Sequence, residues 1–334
     1  MKNIKFGPTD LEVSSVILGL MRINNAKDPV KVLTTAIEND ITFFDHADIY
    51  GRGECETIFA EALAKTDAKR EDLFIQSKCG IVPGEMFDFS KEHIISSVEG
   101  SLQRLKTDHL DALLLHRPDT LFEPEEVAAA FDQLEKDGKV KYFGVSNQKP
   151  GQIELLKKYV SQPLVANQLQ FGIMHTGMID QGIHVNMTDA GSVDHDGEIL
   201  EYSRLHEMTI QAWSPYQYGF FEGVFIGNEK FPELNEKLTE LADKYQTTPT
   251  GIASAWILRH PANMQVIAGT MTPHRIEEIA QASSIVLTRH EWYEVYKAAG
   301  TSCLNLSVNS VLFSSYKDEC SSNTNIHPFL EKYF

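Results

Sequence analysis

The sequence predicts an α/β fold, a closed (β/α)8 TIM barrel, with a short N-terminal hairpin closing the barrel bottom and an atypical C-terminal tail. Two observations predict it. Eight short strand-like runs alternate with longer helical patterns, and several runs are apolar until their last residues. Such runs are typical of parallel strands covered on both faces. A closed barrel built from right-handed crossovers accommodates eight of them better than an open sheet does.

An opening turn, FGPTDL, precedes the first strand. The predicted strands are 13–20, 41–47, 72–78, 110–116, 141–147, 164–170, 209–215 and 265–270. Helix start signals separate several of them: Ser90 is a predicted cap, and Pro124 and Pro232 each begin a helix. Gly138 follows the end of the second of these helices. The pattern predicts one barrel domain over residues 1–300.

Two segments depart from the alternation. Residues 172–197 are expected to form a long polar connection after the sixth strand. Residues 301–334 lose helical periodicity, are rich in Ser and Asn, and hold two of the four cysteines. They are predicted to be a poorly packed C-terminal extension.

Composition excludes several classes of partner. The chain has 334 residues, 42% of them hydrophobic, and a formal net charge of −17 without a basic patch. Nucleic acid and anionic membrane are therefore not expected as partners. The N-terminus has no apolar signal-peptide core, and the cysteines lack CxxC spacing, so a cytoplasmic protein with free thiols is expected. The sequence does not indicate the oligomeric state, and a monomer is the default expectation.

Polar residues follow most of the predicted strands at the carboxyl ends, which form the catalytic face of such a barrel. In strand order they are Asp45 leading to Tyr50, Lys78, His116, Ser146 with Asn147, Asn167 with Gln168, Trp213 with Ser214, and Gly269 with Thr270. This joint placement predicts a site on one rim.

A metal site is the weaker interpretation of this rim. Neighbours on a strand point to opposite sides, so Asp45 and His46 cannot easily face one metal. His46 is expected to be a hydrogen-bonded imidazole under the second helix. Metal sites need several His or Cys ligands, and His116 is the one well-placed candidate. No metal is therefore expected.

Proton transfer is the stronger interpretation. An ammonium group such as Lys78 beside Tyr50 is expected to lower the tyrosine pKa, and Asp45 can pair with that lysine in a low-dielectric pocket. His116 can then orient a substrate oxygen toward Tyr50. The alternative is a purely structural Asp45–Lys78 ion pair, with Tyr50 on a loop.

Other rim residues suit a planar hydride donor. Asn147 and Gln168 can hydrogen-bond a carboxamide, and Trp213 can stack on a heteroaromatic ring. Trp213 could equally be a core aromatic at the barrel mouth. No GxGxxG follows an early strand, so a Rossmann site is not predicted.

The eighth strand leads into a predicted phosphate site. Gly269 and Thr270 precede a helix starting near Pro273, where backbone N–H groups can hold phosphate. Arg275 lies in the first turn, where a cation is unfavourable unless an anion is bound. A solvated surface arginine is the competing interpretation.

Taken in order, seven segments resemble the aldo-keto reductase family: FFDHADIYG, QSKCG, LDALLLHRPD, GKVKYFGVSN, NQLQ, QAWSP and IAGTMTPHRIEE. The resemblance spans nearly all of residues 1–300. It implies an NADP(H)-binding barrel that reduces aldehydes or ketones, small-molecule carbonyl substrates.

The resemblance also implies roles for individual residues. Tyr50 would be the general acid, with Lys78 and Asp45 tuning it and His116 orienting the carbonyl. The implied cofactor-binding residues are Arg22, Ser146, Asn147, Gln168, Trp213, Ser214, Gly269, Thr270, Thr272, Arg275 and Glu278. The predicted substrate pocket includes Ile49, Arg117, Phe220 and Phe221, with Phe225 as a further apolar wall.

Two alternatives remain open. Many family members carry lysine where this chain has Gly269, so NADH is an alternative cofactor although Arg275 favours NADPH. The chain could also be an interaction module that keeps the reductase barrel, as potassium-channel β subunits do.

Overall fold

The eight apolar runs of the sequence form eight parallel strands that close into a barrel. The structure, a computed structural model, describes residues 1–219 and 222–300. The barrel strands are β1 (Val16–Gly19), β2 (Phe43–Asp45), β3 (Phe74–Cys79), β4 (Leu110–Leu115), β5 (Val140–Ser146), β6 (Leu164–Gln170), β7 (Thr209–Trp213) and β8 (Met264–Ala268). Each strand pairs with the next, and β8 pairs with β1. The predicted barrel is confirmed.

Helices connect the strands and cover the outside of the barrel. They are α1 (Pro29–Glu38), α2 (Glu54–Leu63), α3 (Lys91–Leu105), α4 (Pro124–Lys136), α5 (Pro150–Lys157), α6 (Gly177–Ile183), α7 (Ile199–Leu205), α8 (Pro232–Tyr245), α9 (Pro249–Arg259), α10 (Pro273–Ala282) and α11 (Arg289–Ala298). The predicted start signals are confirmed. The Ser90 hydroxyl accepts a hydrogen bond from the His93 backbone N–H, and Pro124 and Pro232 are first residues of α4 and α8.

An N-terminal hairpin closes the bottom of the barrel. Its strands, Asn3–Lys5 and Glu12–Ser14, pair antiparallel, and the chain between them carries the fully buried Phe6. The Phe6 ring contacts Phe43 and Phe74 edge-on, with centroids 5.6 and 5.1 Å away. Phe43 and Phe74 are the first residues of β2 and β3. The hairpin therefore seals the end opposite the strand carboxyl termini with aromatic packing.

Gly7 is expected to be essential for this closure. Its φ is +59°, and an alanine Cβ there would lie 2.5 Å from the Val165 carbonyl oxygen. Gly7→Ala should cost about 1–2 kcal/mol for the left-handed backbone and roughly 1–3 kcal/mol more for overpacking. Thermal or urea unfolding measures the loss. Gly138→Ala is the control, because its φ is +69° but no atom lies within 4 Å of the added Cβ. Equal losses at both positions would contradict the packing argument.

Some element boundaries differ from the sequence-based expectation. The run 13–20 is split, because Glu12–Ser14 belongs to the hairpin and the barrel strand starts at Val16. The connection 172–197 is not wholly irregular, since it contains α6 and a short 3-10 turn, Ala190–Ser192. Buried Met178 and Ile179 attach α6 to the core. The extension 301–334 lies outside the described residues.

Two further hairpins lie on the carboxyl-end rim of the barrel. Ile81–Val82 pairs with Met86–Phe87 after β3, and Gln217–Tyr218 pairs with Gly223–Val224 after β7. Within residues 1–219 and 222–300, no helix has the length and apolar character required to span a bilayer.

Candidate active site

Four side chains from different parts of the sequence meet at the carboxyl ends of β2, β3 and β4. Asp45 ends β2, Lys78 is the penultimate residue of β3, and His116 directly follows β4. Tyr50 lies in a 3-10 turn, Tyr50–Gly53, that returns the chain toward the rim after β2. The loop and three neighbouring strands therefore build one cluster.

Lys78 is the centre of this cluster. Its side chain is 0% exposed, and its ammonium lies 2.8 Å from both carboxylate oxygens of Asp45. It also donates to the His46 carbonyl oxygen at 2.6 Å and to the Tyr50 hydroxyl oxygen at 3.2 Å. An ammonium has three protons to donate. All three are satisfied here, which fixes the position of the charge beside the phenol.

The contact with Lys78 also orients the Tyr50 proton. Because the phenol oxygen accepts from Lys78, its own O–H is left to point elsewhere. Tyr50 lines the main cavity, and its ring meets the His116 ring edge-on with centroids 5.9 Å apart. The phenol proton can therefore be presented to a molecule bound in the cavity.

The Tyr50 pKa is raised in the structure, so the expectation that it is lowered is wrong. Burial raises the pKa and outweighs the attraction of Lys78, which lowers it, while Asp45 adds a further upward contribution. Burial also opposes the charge on Lys78, but Asp45 and Tyr50 hold the pKa of Lys78 above its usual value. The structure therefore holds Tyr50 as a protonated phenol beside a charged lysine, which is the form of a proton donor.

His116 is held neutral. Burial, followed by the charges of Lys78 and Arg117, lowers the pKa of His116 to about 2. Its Nδ1 has no hydrogen-bond partner among the described residues. A neutral imidazole can donate one N–H without adding charge to the site. His116 can thus orient a polar oxygen beside the Tyr50 hydroxyl.

His46 faces away from the site, as the strand alternation predicts, but it is not hydrogen-bonded as expected. Its fully buried ring packs edge-on against Phe59 of α2 with centroids 4.6 Å apart. Neither ring nitrogen has a partner among the described residues. Burial, with a smaller contribution from Lys78, lowers the pKa of His46 to about 3. The aromatic contact is compatible with the neutral ring, which burial makes the favoured form.

The cluster opens into a cavity of about 970 Å³ over the barrel mouth. This is near the upper end of the volumes usual for ligand sites. Of the predicted residues, the cavity is lined by Arg22, Asp45, Ile49, Tyr50, His116, Arg117, Ser146, Asn147, Gln168, Trp213, Ser214, Gly269, Thr270, Thr272 and Arg275. Lys78 lies beneath this lining, covered by Asp45 and Tyr50.

A few predicted residues are not in the lining. Glu278 lies one turn after Arg275 on α10 but does not line the cavity. Phe220 and Phe221 lie outside the described residues. Phe225 is fully buried and packs in the hydrophobic core, so the expectation that it forms a pocket wall is wrong.

Hydrogen bonds preorganise one side of the cavity. The Asn147 amide donates to the Ser146 hydroxyl at 2.7 Å and accepts from the Trp213 indole N–H at 3.1 Å. Ser146 in turn donates to the Gln168 backbone carbonyl. Asn147 and Ser214 adopt φ values of +56° and +50°. Such strained backbone persists where the surroundings hold it, and it is concentrated at functional sites.

A neighbouring part of the cavity wall is formed by the start of α10. Thr272 precedes the helix without a side-chain cap, and Arg275 carries a cation in its first turn. Nothing lies within 4 Å of the position that a Cβ on Gly269 would take. Open space, a helix start without a side-chain cap and a cation in the first turn are features that suit an anion.

Comparison with known proteins identifies the family. The sequence model of the Aldo/keto reductase family matches residues 15–299, most of the chain. The chain belongs to the aldo/keto reductase family. It is therefore an oxidoreductase of the NAD(P)H-dependent kind, acting on carbonyl groups.

Individual aldo/keto reductases and related oxidoreductases match over most of their length. The chain is 35% identical over 310 residues to an uncharacterized oxidoreductase, YcsN, of Bacillus subtilis (strain 168), covering 86% of this chain and 95% of the relative. It is 34% identical over 304 residues to a 6-dehydroglucose reductase of Agrobacterium fabrum, covering 86% and 95%. The thermostable aldo-keto reductase Tm1743, solved with the inhibitor epalrestat, superposes with a TM-score of 0.70 at 26% identity, covering 89% of this chain and all of that one.

This reductase also contains a polar network that sequence analysis missed. The amide groups of Gln76 and Gln168 donate to Asp45 Oδ1 at 2.7 and 3.0 Å. Both also donate to Gln211, which donates onward to Gln265. All four glutamines are buried. Asp45 is thus held by two amides as well as by Lys78.

A signal for this network was present in the sequence. Gln76, Gln211 and Gln265 are each the lone amide of their strand. An isolated amide in a buried strand requires a partner, because burying it unpaired is costly. The strand register supplies partners, since Gln211 lies opposite both Gln168 and Gln265 on the neighbouring strands.

Proposed function

We propose that this reductase reduces an aldehyde or ketone with NADPH, with Tyr50 as the proton donor to the carbonyl oxygen. One observation carries the proposal. The buried Lys78 ammonium, anchored by Asp45, donates a hydrogen bond to the Tyr50 hydroxyl oxygen. This geometry supports a proton-transfer site better than a purely structural ion pair. A structural Asp45–Lys78 pair would not require the ammonium to contact the Tyr50 hydroxyl as well.

The proton step follows from these contacts. When bound, a dihydronicotinamide cofactor would supply the hydride for the carbonyl carbon. Tyr50 gives its proton to the carbonyl oxygen, while neutral His116 orients that oxygen with its N–H. Lys78 stabilises the tyrosinate left behind, since an ammonium within hydrogen-bond distance favours the charged phenolate. Asp45 keeps Lys78 charged at low dielectric.

The cavity walls support cofactor binding. The Gln168 amide nitrogen is engaged by Asp45 and Gln211, so its amide oxygen can accept from a carboxamide. Ser146, Asn147, Trp213 and Ser214 would complete the nicotinamide side. Gly269, Thr270, Thr272 and Arg275 would hold phosphate at the start of α10, with Arg22 after the neighbouring strand β1. Glu278 remains a candidate contact for the adenine end.

Arg275 is expected to decide the preference for NADPH over NADH, the alternative cofactor. Arg275→Ala should raise the KM for NADPH roughly 10- to 100-fold, the effect of losing a charge-assisted hydrogen bond, and leave the KM for NADH nearly unchanged. Steady-state kinetics with each cofactor measure this. Arg289→Ala is a matched control, because Arg289 also begins a helix but does not line the cavity. Equal loss with both cofactors would contradict the assignment.

Turnover of a panel of simple aldehydes and ketones, followed by oxidation of NADPH, tests the function as a whole. Tight NADPH binding with no turnover on any carbonyl would favour the interaction-module alternative instead. Titration of tryptophan fluorescence with NADPH provides the binding measurement in the same preparation, since Trp213 lines the cavity.

A further inference from the structure

The charges around the cavity are opposite in sign to those of the whole chain. The formal net charge of the protein is −17. The charged residues that line the cavity are Arg22, Arg117, Arg275 and Asp45. Asp45 is already neutralised by Lys78. No acidic side chain of residues 1–219 and 222–300 forms an ion pair with any of the three arginines. The cavity therefore has a local excess of positive charge.

Arg117 is the cation at the reacting end of this cavity. It directly follows His116, and its guanidinium carbon lies 5.8 Å from the ring centroid of Trp213. Arg117 is half-buried and makes no hydrogen bond or ion pair within the described part of the chain. Stacking on an aromatic ring recovers only part of the cost of removing a cation from water. The five N–H donors of its guanidinium remain available for a ligand.

The phosphate site proposed above does not account for this arginine. Arg117 follows β4, whereas α10 follows β8, and three strands lie between β4 and β8 in either direction around the eight-stranded ring. The two arginines therefore start from opposite sides of the barrel mouth. Arg275 is placed for a phosphate at α10. Arg117 is placed beside His116 and Tyr50, where a substrate carbonyl would bind.

We propose that the substrate carries a carboxylate near its carbonyl group and that Arg117 binds this carboxylate. The inference rests on the proposed function and adds the substrate class, an aldehyde or ketone acid. A guanidinium fork matches a carboxylate in a bidentate pair. Ile49 and Trp213 supply apolar walls between the two polar ends of such a molecule. Binding the carboxylate at Arg117 would place the carbonyl oxygen toward His116 and the Tyr50 hydroxyl.

Arg117 could instead act only through Tyr50, since a nearby cation favours the tyrosinate. The two roles differ in what they predict. A binding role affects acids and spares neutral carbonyl compounds. A role in tuning Tyr50 affects the reduction of every substrate alike.

The test compares 4-carboxybenzaldehyde with its neutral methyl ester, methyl 4-formylbenzoate, at saturating NADPH. The wild type should have the higher kcat/KM for the acid. Arg117→Gln should lower the acid-to-ester ratio of kcat/KM roughly 10- to 100-fold, mainly by raising the KM for the acid. The acid-to-ester ratio of Arg117→Lys should lie between those of the wild type and Arg117→Gln, because lysine keeps the positive charge but cannot form the bidentate pair. A wild-type ratio of one or less, or equal losses for both substrates in Arg117→Gln, would overturn the inference.

A binding measurement separates this inference from the proposed function. Calorimetric titration of the NADPH-loaded protein with benzoate should show binding that Arg117→Gln weakens, while benzamide binding is weak in both proteins. If neither aldehyde is reduced yet benzoate binding depends on Arg117, the carboxylate site stands and the proposed reduction fails. Benzoate binding that is absent from the wild type, or unaffected by Arg117→Gln, would refute the site whatever the activity. Unchanged thermal unfolding of Arg117→Gln is the folding control.

Discussion

Tyr50→Phe is expected to lower kcat for carbonyl reduction by about 10²–10⁴-fold, the usual contribution of a general acid. The substitution removes the one proton that Lys78 and His116 are positioned to help transfer, and it keeps the ring. The KM for NADPH should change little, because the hydroxyl contacts Lys78 and not the predicted cofactor contacts. Oxidation of NADPH with a saturating aldehyde measures the effect.

Tyr245→Phe is the matched control. It removes a hydroxyl that bonds Glu291 on α11, and Tyr245 does not line the cavity. Its activity should equal that of the wild type. Turnover retained in Tyr50→Phe, with normal folding of both variants, would contradict the assignment of Tyr50 as the acid.

The pH dependence of the wild type should follow from the same residue. Burial raises the Tyr50 pKa, so the phenol stays protonated through neutral pH. As a proton donor, Tyr50 is active in its protonated form. The rate of reduction should therefore be limited by Tyr50 only at alkaline pH, where the phenol ionises, and Tyr50→Phe should lose this alkaline decline.

Lys78→Met is expected to have the second largest effect, on stability as well as activity. It leaves the Asp45 carboxylate buried without a countercharge, which costs about 3–5 kcal/mol of the free energy of unfolding. The amides of Gln76 and Gln168 still donate to Asp45, so the loss should lie toward the lower end. Urea denaturation at neutral pH measures it. The activity of Lys78→Met should also fall, since the tyrosinate form of Tyr50 loses the ammonium that stabilises it.

The double variant Asp45→Asn, Lys78→Met separates the two effects. Removing both charges should restore most of the lost stability, since no unpaired charge remains buried. It should not restore activity, because no ammonium lies beside Tyr50. If Lys78→Met were as stable as the wild type, the assignment of a buried Asp45–Lys78 ion pair would be contradicted. A double variant that reduces carbonyl compounds normally would contradict the role of Lys78 in the proton step.

Much of the architecture and of the site was predictable from the sequence. Parallel strands buried on both faces must be apolar, so their runs are visible without coordinates, and polar residues that break those runs mark the carboxyl-end rim. Asp45, Lys78 and His116 were therefore predicted to be neighbours, although they come from the ends of three separate strands. Strand alternation also predicted that His46 would turn away from the site.

Other properties depend on distances and burial that exist only in the folded chain. The net direction of the Tyr50 pKa is a balance between burial and the Lys78 charge, and the sequence shows the charge but not the extent of burial. His46 packs edge-on against Phe59 of α2 and has no hydrogen-bond partner among the described residues, which depends on how α2 lies over β2.

The barrel, the rim and the residue types on it were predictable from the sequence, because the apolar periodicity of strands and helices is a local pattern along the chain. The Asp45–Lys78 pair was expected from the sequence, but the folded chain was needed to show which rim cation has no acid beside it. Arg117 and Lys78 are both cations at the ends of adjacent strands, yet Lys78 has Asp45 within 2.8 Å and Arg117 has no acid beside it in the described residues. Pairing depends on which remote segments the closed barrel brings together, and electrostatic energies change steeply over those few ångströms.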